Sequence, residues 1–341
     1  MIFRQLFDQD SCTYTYLLAR DYDGEAILID PVLPRVDHYM RLLDEMRLKL
    51  VKVLDTHVHA DHITATPELR DRTRCITVMG EQSSVDAVSQ RINDGETIAI
   101  DGISLTAIHT PGHTDDSYCF LMNDRVFTGD TLLIRGTGRT DFQGGSASDE
   151  YDSIVKKLLT LPDDTLVYPG HDYKGDTVST IGEERQHNPR LQVADKAAFV
   201  ELMGNLNLDN PKMMDVAVPA NRQVAMAQQE IDELGWSFSA AGLRELMGTE
   251  GALLIDLRED AEREKDGCIE SSVNIPYNNI DDALAENGVL KVLAEGTQKK
   301  LVFYCAYGER SAMALLGARE AGIRSFHLKG GMAAWSHHQL A

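Results

Sequence analysis

The order of apolar and polar positions in the first sixty residues predicts a β-hairpin, a helix and a third strand. Apolar and β-branched residues at 14–19 and 26–30 flank a turn at 21–24, which is the pattern of two antiparallel strands. Apolar positions at helical spacing then predict an amphipathic helix over 37–49. The apolar run 50–54 predicts a buried strand that leads directly into a histidine-rich loop. Polar groups that follow a strand in this way are typical of α/β enzyme sites.

Helix and strand patterns continue through the chain and change character near residue 235. Before that point we predict strands over 97–109 (broken at 101–102), 117–122, 125–128 and 165–168, helices over 66–73, 82–92 and 148–160, and mostly helix and loop over 183–233. After it we predict a helix following 236–240, strands at 253–256, 301–305 and 326–329, an extended segment at 274–276 and a helix over 311–321. The predicted architecture is α/β with two domains, residues 1–235 and 236–341.

Composition narrows the functional classes. The 341 residues carry 33 Lys and Arg against 54 Asp and Glu, a net charge of −21, so we expect neither nucleic acid nor an anionic membrane as a partner. No uncharged apolar run approaches the roughly 18–20 residues of a membrane helix, and the charged first ten residues fit neither a secretory signal nor a transit peptide. Five cysteines without a CxxC pair fit a reducing compartment. We therefore predict a cytoplasmic protein. The sequence does not determine its oligomeric state, and a homo-oligomer is one possibility.

Histidine and aspartate residues cluster at the ends of predicted strands. Three histidines and one aspartate lie within residues 57–62, and the others follow later strands, mostly after a glycine. The set is His57, His59, Asp61, His62, His113, Asp130 and His171. Neutral imidazoles and carboxylates bind zinc, iron or manganese, so this set predicts a metal site. The spacing alone decides neither the metal nor whether one ion or two are bound.

The same residues carry a family resemblance. The pattern HxHxDH at 57–62, with His113, Asp130 and His171 downstream, resembles the signature of the metallo-β-lactamase superfamily over about residues 1–230. The resemblance implies an αββα sandwich that holds metal between its two sheets.

A second string narrows the resemblance. Residues 132–145, together with 203–208 and 218–221, resemble the glutathione persulfide dioxygenases of the ethylmalonic encephalopathy protein family. That resemblance implies an enzyme with one Fe(II) per chain that oxidises glutathione persulfide with O2 to sulfite and glutathione. Thr137 departs from the pattern, because we expect cysteine at this position in many members. A thiol role of this loop is therefore not implied for this chain.

The dioxygenase resemblance also implies roles for individual residues. The iron ligands fall on His57, His113 and Asp130, a two-histidine, one-carboxylate set that leaves coordination positions for the persulfide and O2. Four further residues then orient the ligands instead of holding a second metal: His59, Asp61, His62 and His171. An anionic tripeptide on so acidic a domain requires local cations and polar groups. We predict these contacts at Arg139, Tyr173, Arg190 and Asn221.

A cysteine in the second domain is predicted to be reactive. Cys305 follows a buried strand and precedes a helix, so backbone N–H groups and the helix N-terminus favour its thiolate. The string 305–311 resembles the loop of a single-domain rhodanese, an α/β fold with a parallel sheet, over residues 236–341. Flanking motifs of that family are matched at 256–259, 274–276 and 329–335.

The rhodanese resemblance implies a thiosulfate sulfurtransferase. In it Cys305 takes up a sulfane sulfur, and Arg310 steadies the loop or the departing sulfite. The loop from Cys305 to Arg310 is six residues long, which fits sulfur transfer, whereas related cysteine phosphatases have one residue more.

We therefore predict a fusion of two enzymes that share glutathione persulfide, with O2 and thiosulfate as the other small-molecule substrates. One alternative is a binuclear zinc glutathione thioesterase of the glyoxalase II type that carries a rhodanese module. Another is a non-catalytic sulfur carrier or sensor in which Cys305 accepts sulfur and the metal is structural. The identity and stoichiometry of the metal distinguish the dioxygenase from the zinc thioesterase. Turnover of O2 with glutathione persulfide excludes the non-catalytic carrier or sensor.

Overall fold

The computed structural model describes residues 1–85, 88–206, 208, 213–222, 228–249, 251–297 and 299–337. The chain divides into two compact units. The first comprises Met1–Thr73, Thr77–Val85 and Arg91–Gln223, and the second comprises Arg74–Ile76, Asp86–Gln90 and Val224–Ala341. In the part of the chain so described, no helix is both long and apolar enough to cross a membrane.

Two six-stranded sheets form the framework of the N-terminal part. The strands of the first sheet pair in chain order: β1 (Ile2–Asp8), β2 (Thr13–Ala19), β3 (Glu25–Ile29), β4 (Lys49–Leu54), β5 (Ile76–Gly80) and β6 (Gln90–Ile92). The strands that follow are β7 (Thr97–Ile100), β8 (Ile103–His109), β9 (Tyr118–Leu121), β10 (Arg125–Gly129), β11 (Leu132–Leu133), β12 (Gly136–Thr137), β13 (Leu166–Pro169) and β14 (Ser179–Thr180). The second sheet has the order β14-β13-β10-β9-β8-β7, and β11 pairs with β12.

The predicted hairpin is present as β2 and β3, and its position explains its composition. β2 is buried at every residue and pairs antiparallel with β1 on one side and β3 on the other. β3 then pairs in parallel with β4, so the apolar run before the histidine-rich loop is an interior strand. A strand with neighbours on both sides and cover on both faces needs apolar residues throughout, as observed here.

The α-helices of this part are α1 (Val36–Met46), α2 (Thr66–Thr73), α3 (Ala147–Lys156), α4 (Ile181–His187), α5 (Lys196–Gly204) and α6 (Met214–Arg222); α1 and α2 flank β4, and α4 to α6 follow β14. α1 buries Val36, Tyr39, Leu43 and Met46 at the spacing of one helical face. It ends three residues before the predicted end, because Arg47 adopts a left-handed backbone (φ 52°) that closes the helix.

The strand ends bring the histidine and aspartate residues together. β10 and β13 pair in parallel, with Gly129 opposite Pro169, so Asp130 and His171 leave neighbouring strands at the same edge. Gly129 has a φ of 49°, and a side chain there would come within 2.6 Å of the Thr56 hydroxyl. The glycine therefore permits the close approach of the β10 end to the loop that follows β4.

A parallel sheet forms the core of the second unit. Its strands are β15 (Ser237–Phe238), β16 (Ala252–Asp256), β17 (Val273–Asn274), β18 (Lys300–Tyr304) and β19 (Ser325–Leu328), in the order β15-β19-β18-β16-β17, and each pair is parallel. Helices surround the sheet: α7 (Gln228–Glu233), α8 (Ala240–Thr249), α9 (Asp260–Asp266), α10 (Ile280–Leu284), α11 (Val289–Glu295), α12 (Glu309–Glu320) and α13 (Gly331–His337). Successive residues of β18 belong to different core clusters, Phe303 to one and Val302 to the other, as the alternation of a strand covered on both faces requires.

The structure also differs from the sequence analysis at a predicted helix and at the first strand. The predicted helix over 82–92 is wrong for the residues described there: 83–85, 88 and 89 are not helical, and 90–92 form the edge strand β6. Val85, Val88 and Ile92 are buried, so buried apolar residues in an extended segment have the spacing of a helical face. The first strand, β1, carried no prediction, because its exposed and half-buried positions give a weak apolar pattern.

Candidate metal centre and reactive cysteine

Three of the predicted metal ligands converge at the strand ends. One ligand atom each from His57, His113 and Asp130 lies within 4.8 Å of the others. The rings of His57 and His113 are perpendicular, with centroids 4.9 Å apart, and His113 Nε2 is 3.6 Å from Asp130 Oδ2. The two histidines are buried and the aspartate is nearly so, which is the enclosed setting of a metal centre.

Hydrogen bonds fix which ring nitrogen of each histidine faces the cluster. His113 Nδ1 lies 2.7 Å from the Arg139 carbonyl oxygen, and a carbonyl only accepts, so Nδ1 carries the hydrogen. The Thr56 hydroxyl donates to Asp30, so its oxygen accepts the Nδ1–H of His57 at 2.9 Å. In both rings Nε2 therefore carries no hydrogen and has a free lone pair, which is the form in which imidazole binds a metal.

The remaining four predicted residues form an adjoining network. His171 Nδ1 is 2.6 Å from Asp130, and its Nε2 is 2.8 Å from Asp61, which also bonds to His62 Nδ1 at 2.8 Å. His59, Asp61 and His62 also offer ligand atoms within 4.8 Å of one another. His59 Nδ1 and His62 Nε2 are buried and have no partner among the described residues. The arrangement thus supplies one complete three-ligand set and a second set beside it.

The protonation states suit metal binding, which requires neutral imidazole and ionised carboxylate. Burial lowers the pKa of His57 well below its usual range, and the neighbouring His59 and His113 lower it further. Burial alone would raise the pKa of Asp130, but the charge and the hydrogen bond of His171, together with the neighbouring His113 and His57, hold it below the usual range. His171 lies between two carboxylates, which raise its pKa well above the ordinary value despite burial. The donor set therefore fits a divalent transition metal.

A cavity of about 280 Å³ opens beside the cluster. Asp61, His113, Asp130 and His171 form part of its wall. The other polar and aromatic residues that line it are Arg135, Thr137, Arg139, Phe142, Asp172, Tyr173, Lys174 and Arg190. A ligand in this cavity would contact residues of the metal cluster and cationic side chains.

The predicted substrate contacts divide into three that line the cavity and one that does not. Tyr173 is 70% exposed and stacks on His171 with an interplanar angle of 5°. Arg190 donates through Nη1 to Thr137 O at 2.6 Å, and Arg139 pairs through Nε and Nη2 with Asp141 at 2.6 and 2.7 Å.

Asn221 is the predicted contact that lies away from the cavity wall. It is buried, and its amide donates to the carbonyls of His59 (2.9 Å) and His62 (2.8 Å) while its oxygen accepts the Thr64 N–H (2.9 Å). In this structure Asn221 holds the histidine-rich loop in place. The backbone of that loop depends on α6, which is distant in sequence.

The sequence analysis missed Lys174 and the turn that positions it. Asp172 Oδ2 accepts the backbone N–H groups of Lys174 (2.9 Å), Gly175 and Asp176 (2.9 Å), which fixes the turn after His171. Among the described residues no partner holds the Lys174 ammonium group. Its position three residues after His171, in so acidic a domain, was the available signal.

The thiol of Cys305 accepts a backbone hydrogen bond just before α12. Cys305 is buried, and the Gly308 N–H donates to its sulfur at 3.1 Å. Gly308 has a φ of 101° and immediately precedes α12, so the sulfur faces the start of this helix. Met332 N donates to the Cys305 carbonyl at 2.8 Å. A side chain at Gly331 (φ 58°) would come within 2.4 Å of the same carbonyl, which explains the glycine.

Arg310 is anchored by Glu262. Its Nη1 and Nη2 donate to the two carboxylate oxygens of Glu262 at 2.8 and 2.5 Å, and the whole guanidinium is buried. Burial opposes the charge, but Glu262 raises the pKa of Arg310, so the pair is ionic. Of the two roles predicted for Arg310, this geometry favours holding the loop.

Comparison with known proteins bears on both sites. The family model described as metallo-beta-lactamase superfamily matches residues 12–84 and 82–171, and the rhodanese-like domain model matches residues 239–338. These matches confirm the predicted fold classes of both parts.

Individual relatives are similar over part of the chain or over nearly all of it. The persulfide dioxygenase ETHE1 of Homo sapiens, described as mitochondrial, is 47% identical over 224 residues, which cover 65% of this chain and 87% of that protein. The crystal structure of ETHE1 from Myxococcus xanthus is 52% identical, with a TM-score of 0.64 over 65% of this chain and 98% of that one. A metallo-beta-lactamase structure from Staphylococcus aureus subsp. aureus COL (TM-score 0.60, 22% identity) covers 97% of this chain and 98% of that chain, and shares the fold alone.

Proposed function

Because the chain belongs to the persulfide dioxygenase family, we propose that it oxidises glutathione persulfide at one ferrous ion held by His57, His113 and Asp130. In the balanced reaction glutathione persulfide, O2 and water give glutathione, sulfite and two protons. The observation that carries the proposal is the ligand set itself: two imidazoles with free Nε2 atoms and one ionised carboxylate beside a cavity. When bound, iron supplies the redox chemistry between the persulfide sulfur and O2.

The protein residues orient the ligands and the substrate. Thr56 and the Arg139 carbonyl hold the two histidine rings, and His171 holds the Asp130 carboxylate by a 2.6 Å hydrogen bond. Groups of this kind fix the ligand tautomers and commonly change metal affinity by about 10- to 100-fold when removed.

Cations on the cavity wall support an anionic substrate. Glutathione carries two carboxylates, and the domain that would bind it is acidic overall. Arg135 pairs with Glu183 and Glu184, and Arg139 pairs with Asp141. Lys174 and the remaining donors of Arg190 face the cavity without a carboxylate partner among the described residues. We therefore assign the main carboxylate contacts to these two, with Tyr173 and Arg139 beside them.

For the second unit we propose sulfur transfer from thiosulfate to glutathione. The Cys305 thiolate attacks the outer sulfur of thiosulfate, a new sulfur–sulfur bond forms, and sulfite leaves with the electron pair of the old one. A glutathione thiolate then attacks the bound sulfur, which gives glutathione persulfide and restores the Cys305 thiolate. This product is the substrate of the first site, so one chain would supply and consume the same intermediate in the cytoplasm.

Metal analysis of anaerobically purified protein tests the first proposal. About one iron per chain, together with O2 uptake that requires glutathione persulfide, is the expected result. Cys305→Ser serves as the matched control, because it removes the second site and should leave this O2 uptake intact.

The second set of ligand atoms, on His59, Asp61 and His62, favours one alternative, a binuclear zinc thioesterase. Two zinc ions per chain and hydrolysis of a glutathione thioester, without O2 uptake, would establish that function instead.

A further inference from the structure

The Cys305 sulfur has a second neighbour that the proposed mechanism does not use. Besides the Gly308 N–H at 3.1 Å, the Ser311 hydroxyl lies 3.8 Å from the sulfur, within the range of hydrogen bonds to sulfur. The same hydroxyl lies 3.0 Å from the Gly308 carbonyl oxygen and 3.2 Å from His327 Nδ1. One hydroxyl hydrogen therefore has three neighbours, and only one of them can receive it.

The state of His327 decides between these neighbours. His327 lies on β19, is fully buried, and its Nε2 has no partner among the described residues. The Ser311 hydroxyl donates to the Gly308 carbonyl oxygen, so its own oxygen accepts the Nδ1–H of His327 at 3.2 Å, and Nδ1 carries the hydrogen. Burial lowers the pKa of His327 to about 4, with Asp232 and Lys329 acting on it in opposite directions. At neutral pH the ring is uncharged and donates through Nδ1.

A donating Nδ1 cannot accept the Ser311 hydrogen. We propose that His327 is a positioning residue that keeps the Ser311 hydroxyl available to the sulfur of Cys305. Ser311 donates to Gly308 O while the thiol is neutral, and turns to Cys305 Sγ when the sulfur becomes negative. Two donors, Gly308 N–H and Ser311 O–H, then stabilise the anion.

This inference rests on the sulfur transfer proposed for the second unit and specifies how the attacking group is prepared. The Cys305 thiolate must exist before it attacks thiosulfate, and it must be regenerated when glutathione removes the bound sulfur. The Ser311 hydroxyl can follow the charge at both stages without transferring its proton. The hydrogen bond of His327 goes to Ser311, and Ser311 in turn neighbours the sulfur, so His327 acts through Ser311 and not as the proton acceptor of the thiol.

Three variants of the full-length protein test the hydrogen bonds that connect His327, Ser311 and Cys305. Ser311→Ala removes the donor to sulfur, and His327→Leu removes the group that directs it at similar volume. His327→Asn keeps an N–H near the position of Nδ1 and serves as the matched control. Site-specific alkylation of Cys305, followed by peptide mass spectrometry across a pH series, measures thiolate formation apart from the other cysteines.

We expect Ser311→Ala and His327→Leu each to slow Cys305 alkylation at pH 7 about tenfold, the usual effect of losing one hydrogen bond to a charged group. The pH of half-maximal alkylation should rise by about one unit. A double variant that combines Ser311→Ala with His327→Leu should be no worse than Ser311→Ala alone, because both changes remove the same bond. His327→Asn should remain within about threefold of the unmodified protein.

An unchanged alkylation profile in folded His327→Leu, or losses that multiply in the double variant, would overturn the inference. Thermal unfolding of each variant identifies a folding defect, and Ser311→Ala and His327→Asn carry the test if His327→Leu does not fold. The alkylation profile needs no sulfur transfer. Absence of thiosulfate-to-glutathione transfer in the unmodified protein would therefore refute the proposed function, while a changed profile would still support the role of His327.

Discussion

Replacing Lys174 by alanine should weaken binding of the glutathione part of the substrate and leave the oxidation step unchanged. The turn held by Asp172 presents Lys174 to the cavity beside the metal cluster. Arg135 and Arg139 on the same wall are paired with carboxylates of the fold, so their removal also disturbs the protein. Lys174 has no such partner among the described residues, so its removal mainly deletes an interaction with the ligand.

The magnitude follows from the exposure of the site. Two unit charges about 4 Å apart attract by about 1 kcal/mol in water and about 4 kcal/mol at the effective dielectric of a protein surface. Lys174 is exposed at the mouth of a cavity, so solvent screens the pair and side-chain ordering opposes it. We expect about 1–1.5 kcal/mol, which is a five- to tenfold rise in KM. The contact is made to a carboxylate of glutathione and not to the reacting sulfur, so it should be equally strong in the bound substrate and in the transition state. For this reason kcat should stay constant.

The assay is steady-state O2 uptake with three persulfides: those of glutathione, of γ-glutamylcysteine and of cysteinylglycine. The second lacks the glycine carboxylate and the third lacks the γ-glutamyl carboxylate. A contact between Lys174 and one carboxylate predicts that Lys174→Ala raises KM for glutathione persulfide and for one truncated substrate, and leaves KM for the other unchanged. Lys174→Arg keeps the charge and should stay near the unmodified enzyme, and higher salt should shrink the difference.

Two results would refute this reasoning. An unchanged KM for glutathione persulfide would mean that Lys174 does not contact the substrate. An equal rise for all three substrates would point to a general effect on the cavity, because no single carboxylate would then account for it. Iron content measured on each variant checks that the metal site is intact.

Four further outcomes are expected. His113→Ala or Asp130→Ala should lose bound iron and persulfide-dependent O2 uptake, measured by metal analysis and an oxygen electrode. Cys305→Ser should lose thiosulfate-to-glutathione transfer and fail to gain the roughly 32 Da of a bound sulfur atom in intact-mass spectra. The pKa of His327 is lowered from 6.5 to about 4, so the unfolded chain binds the proton more tightly than the folded one. The free energy of unfolding should therefore fall by up to about 3 kcal/mol as the pH drops from 6.5 to 4. Urea unfolding of His327→Asn should show a weaker pH dependence. Gly331→Ala should displace the Cys305 loop and destabilise the protein by about 1–3 kcal/mol in the same assay, because φ is 58° and the new Cβ meets the Cys305 carbonyl.

The part of the fold that could be predicted is the part with a local cause. The hairpin β2–β3, the helix α2 and the strands β7 to β10 have periodic patterns bounded by turn residues, and they occur where the sequence predicts them. The helix predicted over 82–92 is wrong because the buried residues of this extended segment have the same spacing as a helical face. The period alone cannot separate the two, since burial against a neighbouring strand is a long-range interaction.

For the candidate sites too, local features could be predicted from the sequence and long-range contacts could not. The histidine and aspartate motifs follow strands and could be identified from spacing, and a parallel sheet brings such strand ends to one edge. The partners of individual side chains could not be identified, because they come from distant segments. Glu262 holds Arg310 across 48 positions, and Asn221 holds the loop at His59 across 162 positions.

Residue types, their order and their local periodicity determined that this chain has two α/β parts, a metal-binding set and a cysteine at the start of a helix. Only the tertiary structure decided which nitrogen of each histidine faces the cluster, which cations on the cavity wall have no carboxylate partner among the described residues, and which neighbours surround the Cys305 sulfur. These features depend on hydrogen bonds of about 3 Å, and a shift of a few tenths of an ångström changes the partner. Strand periodicity locates a backbone, whereas the choice of hydrogen-bond partner requires the packed positions of side chains from several elements at once.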